Sequence, residues 1–385
     1  MSIKGKILSV ISFVCLAVAL FMVGVWAVTE TDFKVSGNIE YVVPIPTEAD
    51  YPYLTFSFSD EEAEAVSLMS TRSTTPLTAS VVDCSTDASV VTEAVVPEKI
   101  KHNDKVYIVT TIAGGSSSTG AFYNCTNLTS IELPQTVTII ESYAFAGTGL
   151  TSIEIPNSVT SIGGFAFHNC KGLTSIEIPN SVTSIGSSAF YNCRGLASVT
   201  IGSGVTSIGS YAFTYCSGLT SIIVDENNTI YDSRDNCNAI IETSSNTLIQ
   251  GFSKTIIPAS VTSIGNYAFY DCSGLTSMTI GSGVTRIGTY AFKNCTSLAS
   301  VTIGSGVTSI VSNAFNGCSA LTTVVIDSST VASGLTTTTA QGRLIYYATK
   351  VYVKSGLSVG SYLSNTANFT VGTSDKTGYV LYNKV

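Results

Sequence analysis

From Leu173 to Cys193 the chain reads LTSIEIPNSVTSIGSSAFYNC. Ile176 and Ile178 alternate with Ser175 and Glu177, the period of a short strand with one buried face. Pro179-Asn180-Ser181 supplies turn residues. Val182 and Ile185 mark a second short extended segment, ended by Gly186. Ser187-Ser188 reads as the cap of a brief helical turn that carries Ala189, Phe190 and Cys193 inward.

The same unit recurs outward from this stretch. Ala-Phe pairs place Phe at 122, 145, 167, 190, 213, 269, 292 and 315, in steps of 23, 22, 23, 23, 56, 23 and 23. A period in the twenties predicts a solenoid, in which each turn buries its apolar face on its neighbours. Roughly ten turns, ends included, stacked about 4.8 Å apart predict a curved body about 45–50 Å long. The array proper is expected over residues 121–326. The 56-residue step holds one ordinary turn plus 33 further residues. Its Asn and Asp clusters alternate with apolar pairs, which predicts a modified, hairpin-like turn at 224–251 projecting from the array.

Both ends lose the rhythm. Residues 77–120 read as an N-terminal capping repeat with a hairpin bend at Asn103-Asp104. Residues 327–385 keep strand-like pieces at Leu344–Tyr347, Lys350–Val353 and Tyr379–Tyr382 and read as a C-terminal cap. An open solenoid end needs such a cover.

Lys4 and Lys6 precede an apolar run from Ile7 to Val28, the pattern of a secretory signal, with Val25-Trp26-Ala27 at the cleavage position. Residues 1–27 are therefore expected to be a signal peptide. The run is also long enough to stay as an N-terminal anchor, so membrane contact is expected only through this segment if uncleaved. Either way the remainder lies outside the cytoplasm, secreted or on the cell surface. In residues 28–58, Phe33, Val35, Ile39, Tyr41 and Val43 alternate with polar residues as in a small β-type segment. Residues 59–76 read as an acidic linker.

Charge is sparse, at 11% of residues, with a net −8. Residues 28–75 alone hold 9 acidic and 2 basic side chains, so the repeat itself is close to neutral. No basic stripe follows a phosphate backbone, which excludes nucleic acid as a partner. A 44% hydrophobic content excludes a disordered chain.

The repeated L-T-S-I-x-I-P-x-S-V-T-S-I-G-x-x-A-F-x-x-C unit, with the variant turn YDSRDNCNAIIET from Tyr231 to Thr243, resembles the BspA-like leucine-rich-repeat proteins. The resemblance covers roughly residues 80–330. It implies a secreted or cell-surface protein of bacteria or some protists, linked to adhesion and to binding host or matrix proteins, with no catalytic residues. The expected fold is an α/β repeat: a right-handed leucine-rich-repeat solenoid of parallel short strands and short helical turns, with strand-containing caps at both ends.

Three columns of side chains are candidates for function. Cys125, Cys170, Cys193, Cys216, Cys272, Cys295 and Cys318 each follow a repeat Phe by three positions, with Thr148 in the remaining unit. They read as a buried column in the core, since a free thiol behaves as a small hydrophobe. A disulfide ladder or metal string is disfavoured by the missing Cys-x-x-Cys, although Cys84 and Cys237 lie off the column. The outward middle of the first strand carries Glu132, Glu154, Glu177, Thr200, Ile223, Thr279, Thr302 and Val325. Its three carboxylates are either a cation or basic-ligand site or a solvated face. Two residues before Phe stand Tyr143, Phe165, Tyr211, Tyr267 and Tyr290, and one residue after it Tyr123, Tyr191 and Tyr270. These aromatics are either contact residues or packing between turns.

Catalytic, cofactor and metal motifs are absent from the sequence. The two histidines, His102 and His168, occupy positions the repeat does not require. Gly-Ser-Gly at 202–204, 281–283 and 304–306 replaces Pro-Asn-Ser and is a turn, not a nucleotide loop. The function expected is non-enzymatic: an adhesin-like surface protein that recognises a protein or glycan. The alternative is a structural surface or matrix component that assembles with itself.

Overall fold

Most repeat units fold as a long strand, a short strand and a run of tight turns. The computed structural model describes residues 45–50, 54–58, 78–84, 91–102, 105–115, 119–336 and 343–385. The expected export segment 1–27, the linker 59–76 and the Asn103-Asp104 bend lie outside these residues, as does most of the expected 28–58 segment.

The long strands Ser175–Ile178, Ser198–Ile201 and Ser221–Val224 pair in parallel without slippage, Ile176 opposite Val199 and Val199 opposite Ile222. Ser277–Ile280, Ser300–Ile303 and Thr323–Ile326 repeat the arrangement further along. Two-residue strands such as Ser161–Ile162, Ser184–Ile185 and Ser207–Ile208 form a second parallel ladder. About nine turns stack in this way. The threonine before each Ser-Ile pair has a local reason. Thr183 gives both its N–H, at 2.8 Å, and its hydroxyl, at 3.1 Å, to the carbonyl of Thr160 one turn earlier. Thr160 does the same to Thr138, and Thr206 to Thr183. Each corner therefore satisfies its exposed backbone with its own side chain.

The expected helical turn carrying Ala189, Phe190 and Cys193 is not there. Ser188 has φ 56°, Tyr211 φ 61° and Tyr267 φ 60°, values outside the right-handed helical region. The N–H of Phe167 bonds to the carbonyl of Ala189 in the following turn at 2.7 Å, and that of Phe190 to Ala212 at 2.8 Å. Pairing between turns replaces pairing within a helix, so the repeat is strand and turn. Helices Ser329–Gly334 and Ser361–Ser364 lie beyond the last repeat. Of the described residues, no helix is long and apolar enough to cross a membrane.

The core is a stack of phenylalanine rings. Phe122, Phe145, Phe167, Phe190 and Phe213 lie nearly parallel with centroids 5.1–5.3 Å apart, and Phe269, Phe292 and Phe315 at 4.8–5.0 Å. That rise is the parallel-strand spacing, so one ring per turn fills the interior on either side of the inserted turn.

The segment 224–251 does form hairpins: Tyr231–Asp232 and Thr247–Gly251 both pair antiparallel with Ala239–Glu242. It does not project. Thr247 and Leu248 pair in parallel with Ser263 and Ile264, and Ala239, Ile240, Ile241 and Leu248 are fully buried. The insertion is a built-in turn that joins the two halves of the core. Gly251 takes the phenylalanine's place, its N–H bonded to Ala268 at 2.8 Å. A Cβ there would lie 2.2 Å from Cε1 of Phe269.

At the far end Lys350–Lys354 extends the long-strand sheet in parallel, and Tyr379–Lys384 and Phe369–Gly372 continue it antiparallel. Leu344–Tyr347, expected as a strand, is a turn whose Leu344 and Ile345 point into the core. At the near end Glu93–Val95 pairs with Ser130–Glu132, and Lys99–His102 pairs antiparallel with Lys105–Ile112.

Candidate functional site

The cysteine column faces the core. Cys170, Cys193, Cys216, Cys295 and Cys318 each donate an S–H to the carbonyl of a phenylalanine one turn back, at 3.0–3.2 Å. Thr148, which fills the cysteine slot of its turn, sets its hydroxyl 3.2 Å from the Cys170 sulfur. Cys170, Cys193, Cys216, Cys272, Cys295 and Cys318 are free thiols. Burial pushes Cys216 and Cys272 up to about 12, so neither is a nucleophile at neutral pH.

The carboxylate and threonine column lies on the opposite side of the long strands. Glu177 stands opposite Thr200 and Thr200 opposite Ile223, while Thr279, Thr302 and Val325 form the second half. Glu132, Glu154, Glu177, Thr200 and Thr279 are exposed, and Thr302 is half-buried. Val325 is buried with Tyr352 and Leu381 of the C-terminal strands, so the open column ends there. Among the described residues no group of three or more His, Cys, Asp or Glu side chains is placed to hold a metal ion.

The aromatic residues form the most continuous surface. Tyr143 stacks on Phe165 at 4.8 Å. Phe165 meets His168 edge-on at 5.7 Å, and His168 stacks on Tyr191 at 5.5 Å. Tyr191 meets Tyr215 at 5.1 Å. Beyond the insertion, Tyr211 meets Tyr267 at 5.0 Å and Tyr270 at 5.7 Å, and Tyr267 stacks on Tyr290 at 5.5 Å. Tyr211 and Tyr267 are thus neighbours although the inserted turn separates them in sequence. Lys293 continues the row, its ammonium 4.7 Å from the Tyr290 ring centre and 5.4 Å from that of Tyr270. The positive φ two residues before Phe tips these rings outward beside the stack, leaving them half-buried with one edge in solvent. Burial, then the contact with Tyr267, pushes the Tyr211 phenol up to about 12, and burial lowers His168.

Sequence reading overlooked Tyr215 and Asp271. They occupy the second position after Phe, which reads Asn124, Gly147, Asn169, Asn192, Tyr215, Asp271, Asn294 and Gly317 down the array. Position two accepts a positive φ, which explains Asn and Gly. Only the two units flanking the insertion depart from them, and that alignment was the available signal.

A family model described as BspA type leucine rich repeat region matches residues 116–239 and 241–337, in six copies. The chain belongs to this family. Its two matched stretches meet inside the inserted turn, so that turn is part of the BspA-type array. Among solved structures, the pneumococcal vaccine antigen PcpA is 20% identical with a TM-score of 0.50, over 68% of this chain and 78% of that one. A leucine-rich cell surface protein from Faecalibacterium prausnitzii is 24% identical with a TM-score of 0.44, over 76% and 96%. A leucine-rich repeat protein from Eubacterium ventriosum is 23% identical with a TM-score of 0.45, over 66% and 74%. The likeness to PcpA is one of fold. The curated proteins contain no match to the chain. The family match indicates no enzymatic family.

Proposed function

We propose that this BspA-type chain is an exported, adhesin-like surface protein whose aromatic strip binds a protein or glycan partner. The carrying observation is two runs of touching, half-buried rings, Tyr143 to Tyr215 and Tyr211 to Tyr290, the second of which crosses the inserted turn. Rigid aromatics offer large contact area at little entropic cost, and sugar rings and apolar side chains both pack on such faces. A repeat scaffold lets many weak contacts add over several turns. The carboxylate column is a second surface, interrupted by Ile223, at 55% exposure, and closed at Val325. The C-terminal strands act as the cap that covers the last turn, and residues 1–27 act as the export signal. The self-assembly alternative is supported by the edge strand Phe369–Gly372, which exposes Val371 at 71%.

Glycan and matrix-protein arrays probed with the purified chain test the reading. Tyr211→Asn, Tyr267→Asn and Tyr290→Asn together remove three rings, and Asn313 holds the same position and backbone conformation in the last unit, with φ 58°. Loss of about 1–3 kcal/mol per aromatic anchor is expected, at least tenfold in affinity. Hits retained at full strength by the triple variant, or an array without hits beside concentration-dependent polymers in light scattering, would overturn it.

A further inference from the structure

The C-terminal cap closes one ladder of the solenoid and leaves the other open. Helix Ser329–Gly334 lies against the last short strand, Ser309–Ile310. Leu335, Leu363 and Phe369 seal the core beneath, each at most 2% exposed. Among the described residues the long-strand sheet has no such cover. It runs on through Lys350–Lys354 and Tyr379–Lys384 and ends at Phe369–Gly372, which pairs with Tyr379–Lys384 alone.

The hydrogen bonds around that last strand fix which of its peptide groups face outward. Val385 gives its N–H to the carbonyl of Asn368 at 3.0 Å, while Lys384 gives its own to Thr349, on the opposite side, at 2.9 Å. Successive residues of a strand turn their peptide groups to opposite neighbours. Asn368, Thr370 and Gly372 therefore bond toward Tyr379–Lys384, and Phe369 and Val371 face the open edge. The N–H of Phe369 is taken by the carbonyl of Asn365 at 3.0 Å. The Phe369 carbonyl and both peptide groups of Val371 are left for a further strand, with Thr373 next along the edge.

Native sheets guard such edges with charge, proline or a covering element. At the N-terminal end the outermost long strand, Glu93–Val95, carries Glu93 and is followed by Pro97-Glu98-Lys99. From Leu363 to Ser374 the chain has no charged residue and no proline. Val371, in the middle of the edge, is 71% exposed beside the half-buried Tyr382 with which it pairs.

We propose that this edge pairs with the same edge of a second copy, antiparallel and about a two-fold axis at Val371. The edge is self-complementary in that arrangement. Each Val371 exchanges both hydrogen bonds with its counterpart, and each Phe369 carbonyl meets the N–H of Thr373 across the axis. The two valine side chains lie opposite one another on the core side of the joined sheet, where each covers the other. Pairing consumes the edge of both copies, so assembly closes at the dimer. The dimer carries two aromatic strips, so a multivalent surface meets two sites on one particle. The pairing itself rests on the edge and not on the strip. A contact of this size sits at the weak end of specific interfaces, so a micromolar dissociation constant is expected.

Sedimentation equilibrium of the full chain across the micromolar range tests the pairing. A monomer–dimer equilibrium without larger species is expected. Val371→Lys sets like charges against each other at the axis and should weaken it at least about tenfold. Its thermal midpoint should match that of the unsubstituted chain, because the side chain is exposed. Val371→Cys should cross-link to itself under mild oxidant, since residues opposite one another in an antiparallel bonded pair lie about 5.5 Å apart, within disulfide reach. Thr373→Cys should not exceed the unsubstituted chain. A monomer at every concentration, species larger than the dimer, a dimer equally tight in Val371→Lys, or a Val371→Cys chain that does not cross-link would overturn the proposal. The triple tyrosine variant should dimerise unchanged; a dimer lost with those rings would place the contact on the strip and overturn the edge.

Discussion

At the scale of single residues, the repeat chooses side chains that finish what the backbone leaves open. The carbonyls of Phe167, Phe190, Phe269 and Phe292 each accept the N–H of the cysteine in their own turn, at 3.2 Å from Cys170 to Phe167, and the S–H of the next turn's cysteine, at 3.0 Å from Cys193. A thiol is small, apolar and a weak donor, which is what a closed slot beside one carbonyl can use. His168 stands at a variable position, which reads Tyr123, Ala146, Tyr191, Thr214, Tyr270, Lys293 and Asn316 in the other units. Burial depresses its pKa, so the unfolded chain takes up the proton first as pH falls. Its contribution is present above about pH 6.5 and is lost below. His168→Tyr should therefore flatten the loss of stability between pH 7.5 and 5.5 by a fraction of about 1 kcal/mol, read from urea midpoints. Parallel slopes in the two proteins would contradict it.

At the scale of elements, the inserted turn and the tight turns before Phe separate what sequence can and cannot show. The strand phases were legible because Ile176, Ile178 and Ile185 repeat at fixed offsets and each must face the same core. Ser187-Ser188-Ala189 suggested a helix because caps and propensities act locally. The bonds that decide the conformation, Phe190 to Ala212 among them, come from another turn and leave no local mark. The Asn-rich insertion suggested a hairpin-like turn projecting from the array for a similar reason. Asn228 is in fact 7% exposed, its amide bonding to the carbonyls of Gly202 and Val205 and its oxygen to the N–H groups of Ile230 and Tyr231. Asp232 and Arg234 form an ion pair that also reaches Asn246, tying the hairpin to itself. Gly251→Ala tests this fit, since the added methyl meets the buried Phe269 ring. A loss of about 1–3 kcal/mol is expected, against less than about 0.5 kcal/mol for Gly281→Ala, whose Cβ would meet nothing within 4 Å. Equal urea midpoints for the two variants would show that the inserted turn is not packed against the stack.

At the scale of the whole molecule, stability and surface come from the same stacking. The apolar core is in two main clusters that meet at the insertion, Ile240 on one side and Ile241 on the other. The aromatic strip crosses that seam through Tyr211 and Tyr267. The strip's residues were readable as a column from their spacing, but not its continuity across 56 residues of sequence. Oxidative footprinting of the chain with and without its array-identified partner measures the central claim directly. The account predicts protection of Tyr143, Phe165, Tyr211, Tyr267 and Tyr290 over several consecutive turns. Protection confined to the long-strand face or to the terminal strands, with these rings still reactive, would contradict it.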